Sequence, residues 1–254
     1  MRPLQTSLTR RAIVLRRLII GDIHGMYERM IDVLDRAGFD REKDSLYSVG
    51  DICDRGNRNV DVISFLMKLR NFLPVAGNHD VWLYEYLSKM PDPYWVSHNG
   101  GGNTFREFEG TTPAFRNKVR KWLGEFPVAR IIDGYIIVHG GPATMKNEEE
   151  LSRMGAFDMT VERAVRYKMI TGRTERVSQD ITRDCLYLKS ALFPERAAVG
   201  PLETGRTIIC GHNVVKEVFR SEPYRLIDID TGSFLEEGFL SVMDLDSGKL
   251  FRSR

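Results

Sequence analysis

The chain has 254 residues, of which 42% are hydrophobic and 28% charged, and its formal net charge is +2. This length and composition are typical of one globular α/β domain with a sizeable core. A net charge so close to zero favours neither a nucleic-acid duplex nor a membrane surface as partner. No apolar run approaches the roughly 20 residues that a membrane-spanning helix needs.

The cysteines indicate a reducing compartment. Cys53, Cys185 and Cys210 are an odd number without CxxC spacing, which argues against a disulfide framework and a structural zinc site. A cytoplasmic location is the simplest expectation. None of the three is followed at the sixth position by the arginine that a cysteine-phosphatase loop needs, so we do not expect a cysteine nucleophile.

We expect residues 1–15 to form a flexible N-terminal arm and residues 16–254 a single domain. The arm is rich in arginine and lacks acidic residues, a composition also found in transit peptides. The arginines at positions 16 and 17 interrupt the apolar run that a secretory signal would need.

Three apolar stretches, each predicted as a buried strand, end in glycine and then in polar side chains. They lead into Gly21-Asp22-Ile23-His24-Gly25, Gly50-Asp51-Ile52-Cys53-Asp54-Arg55-Gly56 and Gly77-Asn78-His79-Asp80. Helical spacing between them predicts helices at 26–37, closed by Gly38, and at 59–71. This alternation predicts parallel strands whose polar ends converge at one sheet edge, where they would make a metal site.

The rest of the chain predicts a second sheet and two insertions. A helix is expected at 81–90, followed by a cap-like insertion around 92–130 with a helix near 115–123, and a second insertion around 145–198. Apolar strands end at His139 and at His212, and residues 224–229 and 239–245 are predicted as antiparallel strands that close the second sheet. The expected fold is α/β, a four-layer α/β/β/α sandwich of two mixed β-sheets with flanking helices.

These blocks resemble the motifs GDxHG, GDxxDRG and GNH(E/D) of the calcineurin-like metallophosphoesterase superfamily, in its phosphoprotein phosphatase branch. Val138-His139-Gly140-Gly141 and Gly211-His212 fit two further blocks of that family. Asn99-Gly100-Gly101-Gly102 and Asp230-Thr231-Gly232 look like stretches of the compact bacteriophage lambda phosphatase and bacterial phosphatase group. The resemblance extends over about residues 17–245, and it also implies the four-layer fold.

The resemblance implies two divalent metal ions. Oxygen and imidazole donors without thiolates suit manganese, with iron or zinc as alternatives. By resemblance Asp22 and His24 hold the first ion, Asp51 bridges both, and Asn78, His139 and His212 hold the second. The family's chemistry is direct attack on phosphorus by a hydroxide that bridges the two ions.

Three more side chains are predicted to take part in the reaction. His79 follows the ligand Asn78 and is expected to be the general acid, with Asp54 as the partner that orients it. The Arg55 guanidinium can bind two phosphoryl oxygens in a fork, which favours phosphomonoesters or polyphosphates over a diester backbone. A second phosphate-binding residue stays open among Arg183, Lys189 and Arg196.

The expected activity is a metal-dependent phosphatase acting on phosphoserine and phosphothreonine in proteins, with phosphotyrosine as a further substrate. The expected partner is a phosphorylated protein or a small phosphate ester. A symmetric dinucleoside polyphosphate hydrolase is the alternative, because it shares every motif. The aromatic residues Tyr94, Trp95, Trp122 and Tyr187 could stack on its base or fill a core. A remote alternative is an inactive phosphate-binding scaffold.

Overall fold

The computed structural model describes residues 16–90, 92–141 and 205–254. Over these ranges the chain first alternates strands with helices, then forms three consecutive helices, and ends in strands. The first part comprises β1 (Arg17–Ile20), α1 (Tyr27–Ala37), β2 (Ser45–Ser48), α2 (Asn59–Leu66), β3 (Phe72–Pro74) and α3 (Asn78–Leu87). The three helices are α4 (Pro93–His98), α5 (Gly102–Glu109) and α6 (Pro113–Leu123). The later strands are β4 (Ala129–Ile132), β5 (Tyr135–Val138), β6 (Thr207–Cys210), β7 (Phe219–Ser221), β8 (Leu226–Asp228), β9 (Ser241–Asp244) and β10 (Leu250–Arg252).

The strands form two mixed sheets, as predicted, and each sheet has five strands in the described part of the chain. The first has the order β10-β9-β1-β2-β3, and the second the order β4-β5-β6-β8-β7. In the first sheet β1, β2 and β3 are parallel, while β9 runs antiparallel to β1 and β10 antiparallel to β9. In the second sheet β5, β6 and β8 are parallel and the two edge strands are antiparallel.

The prediction for the last strands is confirmed only in part. β8 joins the second sheet and is antiparallel to β7 as expected, but it lies parallel to β6, with Ile209 opposite Ile227. β9 does not belong to that sheet, because it pairs with β1 in the first one, where Met243 lies opposite Ile19. Both segments have the apolar pattern of a strand, and that pattern carries no information about which strand will be the partner.

Side-chain alternation along the strands builds the layers. Leu18 and Ile20 belong to the large apolar cluster formed with the helices, whereas Ile19 between them belongs to a cluster with Ile137 and Ile209 of the second sheet. The two sheets therefore pack face to face, with helices covering the outer side of the first. A third cluster, which includes Ile136, lies on the other face of the second sheet.

The helix boundaries confirm some local predictions and move others. α1 ends as predicted at Gly38, which has φ +62° and so adopts the left-handed conformation that glycine tolerates best. α3 starts at Asn78 rather than 81, with Gly77 as its N-cap. The Asp80 carboxylate accepts a hydrogen bond from the Gly77 N–H at 2.8 Å, which closes the helix start.

The first predicted insertion is part of the core. Its helices α4 to α6 bury Trp95, Phe108, Val119 and Leu123 in the large apolar cluster. The arm at 1–15 and the second insertion at 145–198 lie outside the described residues. Within the described ranges, none of the helices has the length and apolar character to cross a membrane.

Cys53 and Cys210 are both fully buried, and they lie in different apolar clusters. Burial raises the pKa of the Cys53 thiol well above its usual value, and nearby carboxylates raise it further. These environments agree with the expectation that neither thiol is the nucleophile, because the reactive form of cysteine is the thiolate.

Candidate active site

The site lies where five strands end. β1 leads to Asp22 and His24, β2 to the turn at 50–56, β3 to the start of α3, β5 to His139 and β6 to His212. Donor atoms of His24, Asp51 and His79 lie within 4.8 Å of one another, and so do those of Asp51, His139 and His212. Asp51 is common to both groups, which is the arrangement that a bridging ligand requires.

Close backbone packing brings these loops together. A Cβ on Gly50 would lie 2.4 Å from the backbone nitrogen of Gly77, and one on Gly77 would lie 2.1 Å from Asp51 Oδ1. Only glycine allows this approach. As a result, the backbone N–H of His79 in the first turn of α3 donates to Asp51 Oδ1 at 3.0 Å. The same helix start therefore stabilises the carboxylate through its N–H groups and its dipole.

Asp80 stabilises the turn that contains Asp51. Its carboxylate accepts hydrogen bonds from the backbone N–H groups of Asp51 at 2.9 Å, Ile52 at 3.0 Å and Gly77 at 2.8 Å. Burial, together with the nearby Asp51 carboxylate, raises the pKa of Asp80 to about 7. Asp80 thus joins the second and third motifs through their backbones.

Two histidines present a defined ring nitrogen to the site. His24 Nδ1 lies 2.9 Å from the carbonyl of Cys53, and His139 Nδ1 lies 2.9 Å from the carbonyl of Val49. A carbonyl can only accept, so each Nδ1 carries a proton. In the neutral form of each ring, the form that binds metal, the lone pair is therefore on Nε2. His24 Nε2 lies 3.6 Å from Asp51 Oδ2, and His139 Nε2 lies 3.3 Å from the same oxygen.

In the second donor group, which comprises Asp51, His139 and His212, hydrogen-bond acceptors lie close together. His139 Nε2 lies 3.0 Å from Asn78 Oδ1 and 3.2 Å from His212 Nδ1. The backbone N–H of His212 donates to Asp22 Oδ2 at 3.1 Å. Asp22 Oδ1 is buried and, among the described residues, has no hydrogen-bond partner. Converging lone pairs and an unpartnered buried carboxylate oxygen fit a bound cation.

The electrostatics also fit a cation. Burial, with the neighbouring charges of Asp230, Asp51 and Asp228, raises the pKa of Asp22 well above its usual value. Burial likewise raises the pKa of Asp230 to about 6. Burial disfavours ionised Asp51 as well, but His139, His79 and His24 outweigh it and lower its pKa well below the usual range. Several buried carboxylates in one place need compensating positive charge.

The backbone of the site is strained. Among the described residues, seven other than glycine have positive φ, and five of these are site residues: His24 (48°), Asp51 (52°), Asp54 (74°), Arg55 (65°) and His212 (69°). Such conformations are costly for side chains with a Cβ and are typical of functional sites. The fold therefore tolerates unfavourable backbone geometry to place these side chains.

The predicted pair of His79 and Asp54 is formed. His79 Nδ1 lies 2.7 Å from Asp54 Oδ2, and both side chains are buried. The Trp95 indole N–H donates to the same oxygen at 2.5 Å, and the Thr104 hydroxyl donates to Asp54 Oδ1 at 2.6 Å. The Asp54 carboxylate is therefore bonded on both oxygens, and its position fixes the imidazole of His79.

Arg55 lies at the solvent side of this pair. Its guanidinium packs over the ring of Phe234 at 4.1 Å, and Nη2 lies 3.3 Å from His79 Nε2. The insertion holds its backbone, since its N–H donates to the Gly100 carbonyl at 2.9 Å and Asn103 Nδ2 donates to its carbonyl at 3.1 Å. The side chain is exposed, and its donors that do not face His79 are available to a ligand.

The structure thus brings together all six predicted ligands, together with His79, Asp54 and Arg55. Arg183, Lys189 and Arg196 lie outside the described residues. Four further side chains belong to the site but were not among the predicted site residues: Asp230, Phe234, Trp95 and Thr104. The turn Asp230-Thr231-Gly232 was a visible signal for Asp230, but nothing in the spacing of the other three indicates their contacts.

Comparison with known proteins agrees with this geometry. Residues 15–216 match the calcineurin-like phosphoesterase family, and the chain belongs to that family. It is 30% identical over 227 residues to the asymmetrical bis(5'-nucleosyl)-tetraphosphatase of Bacillus velezensis, covering 84% of this chain and 83% of that one. It is 28% identical over 126 residues to the symmetrical enzyme of Aromatoleum aromaticum, covering 48% of this chain and only 42% of that relative.

A solved structure extends the comparison. A protein assigned provisionally as a diadenosine tetraphosphatase superposes with a TM-score of 0.62 at 20% identity, covering 93% of this chain and 92% of that one. At this identity the likeness concerns the fold. It confirms the expected architecture of two mixed sheets with flanking helices.

The prediction of a protein phosphatase is wrong. The curated relatives carry the name bis(5'-nucleosyl)-tetraphosphatase, which corresponds to the alternative rather than to the main expectation. The motifs led to this error because they contain the residues expected to hold metal and to act as general acid, and both classes share these residues. Substrate choice depends on residues outside those motifs.

Proposed function

We propose that the chain hydrolyses dinucleoside tetraphosphates with two divalent metal ions bound in its site. The observation that carries the substrate class is the similarity to the Bacillus velezensis tetraphosphatase, which extends over most of both chains. The site supports the reaction type, because donor atoms, a buried histidine–aspartate pair and an exposed guanidinium lie together at the strand ends.

Six side chains would hold the ions: Asp22, His24, Asp51, Asn78, His139 and His212. They are oxygen and nitrogen donors, which suits manganese, iron or zinc, and manganese is our choice for a first assay. When bound, such ions supply Lewis-acid stabilisation of the phosphoryl group and an activated water. The contacts of Asp22 with the His212 backbone and, at 4.0 Å, with His139 Nδ1 bring it near the second donor group.

Arg55 would bind the phosphoryl group that is attacked. Its forked N–H groups match a pair of non-bridging oxygens, and the Phe234 ring supports the flat face of the guanidinium. A polyphosphate chain offers such oxygen pairs on each phosphorus. The guanidinium therefore suits an internal phosphoryl group of a tetraphosphate as well as a terminal one.

His79 would donate a proton to the leaving group. Because Nδ1 faces Asp54, the other ring nitrogen points into the site, 3.8 Å from Asp51 Oδ2. Water adds to one phosphorus, the bridging P–O bond breaks, and the departing nucleoside phosphate can take a proton from Nε2. For this step Arg55 Nη2, which lies 3.3 Å from Nε2 and can only donate, would turn from that nitrogen to the phosphoryl group. A phosphate oxygen is a weaker base than an alkoxide, so this proton matters less for a polyphosphate than for an alkyl monoester.

The proposal also keeps the cytoplasmic location, the expected compartment for a chain with buried Cys53 and Cys210 thiols. Nucleotide polyphosphates are small anionic molecules, so no membrane or nucleic-acid duplex is required as a partner.

The test is chromatographic separation of the products from diadenosine tetraphosphate with Mn²⁺. Symmetrical cleavage gives two ADP, and asymmetrical cleavage gives ATP and AMP; either outcome supports the proposal and assigns the cleavage position. Intact substrate after incubation with an enzyme that releases phosphate from other esters would overturn it. The Asp51→Asn variant serves as the control for contaminating activity, because it removes the ligand common to both donor groups.

A further inference from the structure

Helix α4 carries two aromatic rings on its outer side. Tyr94 and His98 stack in parallel, with ring centroids 4.7 Å apart and an interplanar angle of 9°. Tyr94 is 59% exposed and is the most exposed of the large hydrophobic side chains in the described part of the chain. Open stacked rings of this kind leave an aromatic face available in water.

Hydrogen bonds hold the His98 ring in place. The Ser97 hydroxyl donates to the Pro93 carbonyl at 2.8 Å, and its oxygen lies 2.6 Å from His98 Nδ1. Since the single hydroxyl hydrogen goes to the carbonyl, Nδ1 donates to the Ser97 oxygen. His98 Nε2 then remains as a polar atom at the edge of the stacked pair.

The backbone that carries the stacked pair lies next to the loop that carries Arg55. Trp95, the neighbour of Tyr94, points inward and donates to Asp54. Gly100, two residues after His98, accepts the backbone N–H of Arg55. Two trans peptides span at most about 7.6 Å between Cα atoms, so the His98 backbone lies close to the loop that carries Arg55.

We propose that Tyr94 and His98 form a stacking platform for a nucleobase of the bound nucleotide. This inference rests on the proposed function, in which a phosphoryl group sits at Arg55 and a nucleoside extends from it. The base would stack on the exposed face of the pair, and His98 Nε2 would be available to a donor on the base edge.

The other aromatic candidates have structural roles or lie elsewhere. Trp95 is fully buried, and Trp122 packs on Phe72 and Phe126 in the large apolar cluster. Tyr187 lies outside the described residues. Within the described chain, the exposed ring of Tyr94 is therefore the member of this set that can receive a base without unpacking the core.

The test measures binding of ADP by calorimetry to the metal-loaded protein, with pyrophosphate as a ligand that lacks a base. Tyr94→Ala should raise the Kd for ADP about tenfold, which is about 1.4 kcal/mol at 25 °C, and leave the Kd for pyrophosphate unchanged. Tyr94→Phe, which keeps the ring, should bind ADP as the wild type does. His98→Ala should weaken ADP binding in the same selective way.

Equal weakening of both ligands, or no change for ADP in Tyr94→Ala, would overturn the platform. Hydrolysis of diadenosine tetraphosphate by the wild type is measured on the same preparation. Turnover combined with an unchanged Kd for ADP refutes the platform alone. Absent turnover combined with a selective loss of ADP binding refutes the proposed function and supports a nucleotide site.

Discussion

The indole nitrogen of Trp95 donates to Asp54 Oδ2 at 2.5 Å, and the same oxygen lies 2.7 Å from His79 Nδ1. Helix α4 thus reaches into the centre of the site and fixes the carboxylate that orients His79, the proposed general acid. α4 is therefore part of the framework of the candidate site.

Trp95→Phe should lower kcat on the order of tenfold, because removing a donor that positions a site residue typically has an effect of this size. The ring still fills most of the core volume, and the content of bound metal should not change. Steady-state kinetics and metal analysis measure the two quantities. Trp122→Phe is the matched control, since it lies in the same apolar cluster away from Asp54. Equal losses in both variants would show that the indole N–H has no special role.

His79→Asn should reduce turnover to a degree that depends on the leaving group. General acid catalysis contributes about 10²- to 10⁴-fold, and we expect the larger loss with an alkyl phosphate and the smaller one with diadenosine tetraphosphate. The measurement is kcat for both substrates in both proteins, with metal content alongside. Equal losses for the two substrates would contradict a proton-donating role, and lost metal would make His79 a ligand.

Loss of metal in His79→Asn would have a structural basis, because His79 shares a donor group with His24 and Asp51. Sequence analysis assigned His79 by its place beside Asn78 in a motif. The motif shows which residue types converge, but the division between ligand and acid depends on where each ring nitrogen points, and tertiary packing determines that direction.

Metal binding should raise the thermal stability of the protein. Several carboxylates, among them Asp22, Asp51 and Asp230, are buried together, so a bound cation should stabilise the folded state. At a metal concentration of about 100 Kd the gain is about 2.7 kcal/mol, and each kcal/mol raises Tm by about 2–4 °C for a chain of this size. Scanning fluorimetry with Mn²⁺ and with a chelator measures this difference. Identical Tm values under the two conditions would argue against a metal site.

Asp51→Asn tests whether one residue serves both ions. Its carboxylate is common to the two donor groups, so the variant should retain less than half of the metal bound by the wild type. It should also lose most of the Tm increase with Mn²⁺. Metal analysis after gel filtration gives the ratio, and an unchanged ratio would remove the bridging role.

Arg55→Lys separates charge from geometry. Lysine keeps the positive charge but loses the forked donors and the flat surface that packs on Phe234. KM for diadenosine tetraphosphate should rise on the order of tenfold, equivalent to about 1.4 kcal/mol, with a smaller change in kcat. A wild-type KM in this variant would show that the guanidinium does not bind phosphate in a fork.

The fold was accessible from sequence where local signals were strong. Strands that end in glycine and a ligand-type residue, and a helix closed by Gly38, were visible as patterns. The pairing of β9 with β1 was not, because that contact joins residues more than 200 positions apart and the alternation of 239–245 fits either sheet. The support of Asp54 by Trp95 and Thr104 depends on the same kind of long-range packing.

The substrate class was the main error, and its reason is physical. The roles proposed for Asp22, Asp51, His79 and Arg55 concern metal and phosphoryl groups, which protein phosphatases and tetraphosphatases have in common. What distinguishes the two is the group attached to the phosphate. We place one such contact at Tyr94 and His98, whose stacking depends on helix α4, which was not predicted from the sequence.

The most direct test compares kcat/KM for diadenosine tetraphosphate and for a phosphothreonine peptide, side by side with Mn²⁺. We predict a ratio above about ten in favour of the dinucleotide, a difference of at least about 1.4 kcal/mol in transition-state stabilisation. A ratio below one would contradict the assignment of this site to dinucleoside tetraphosphates.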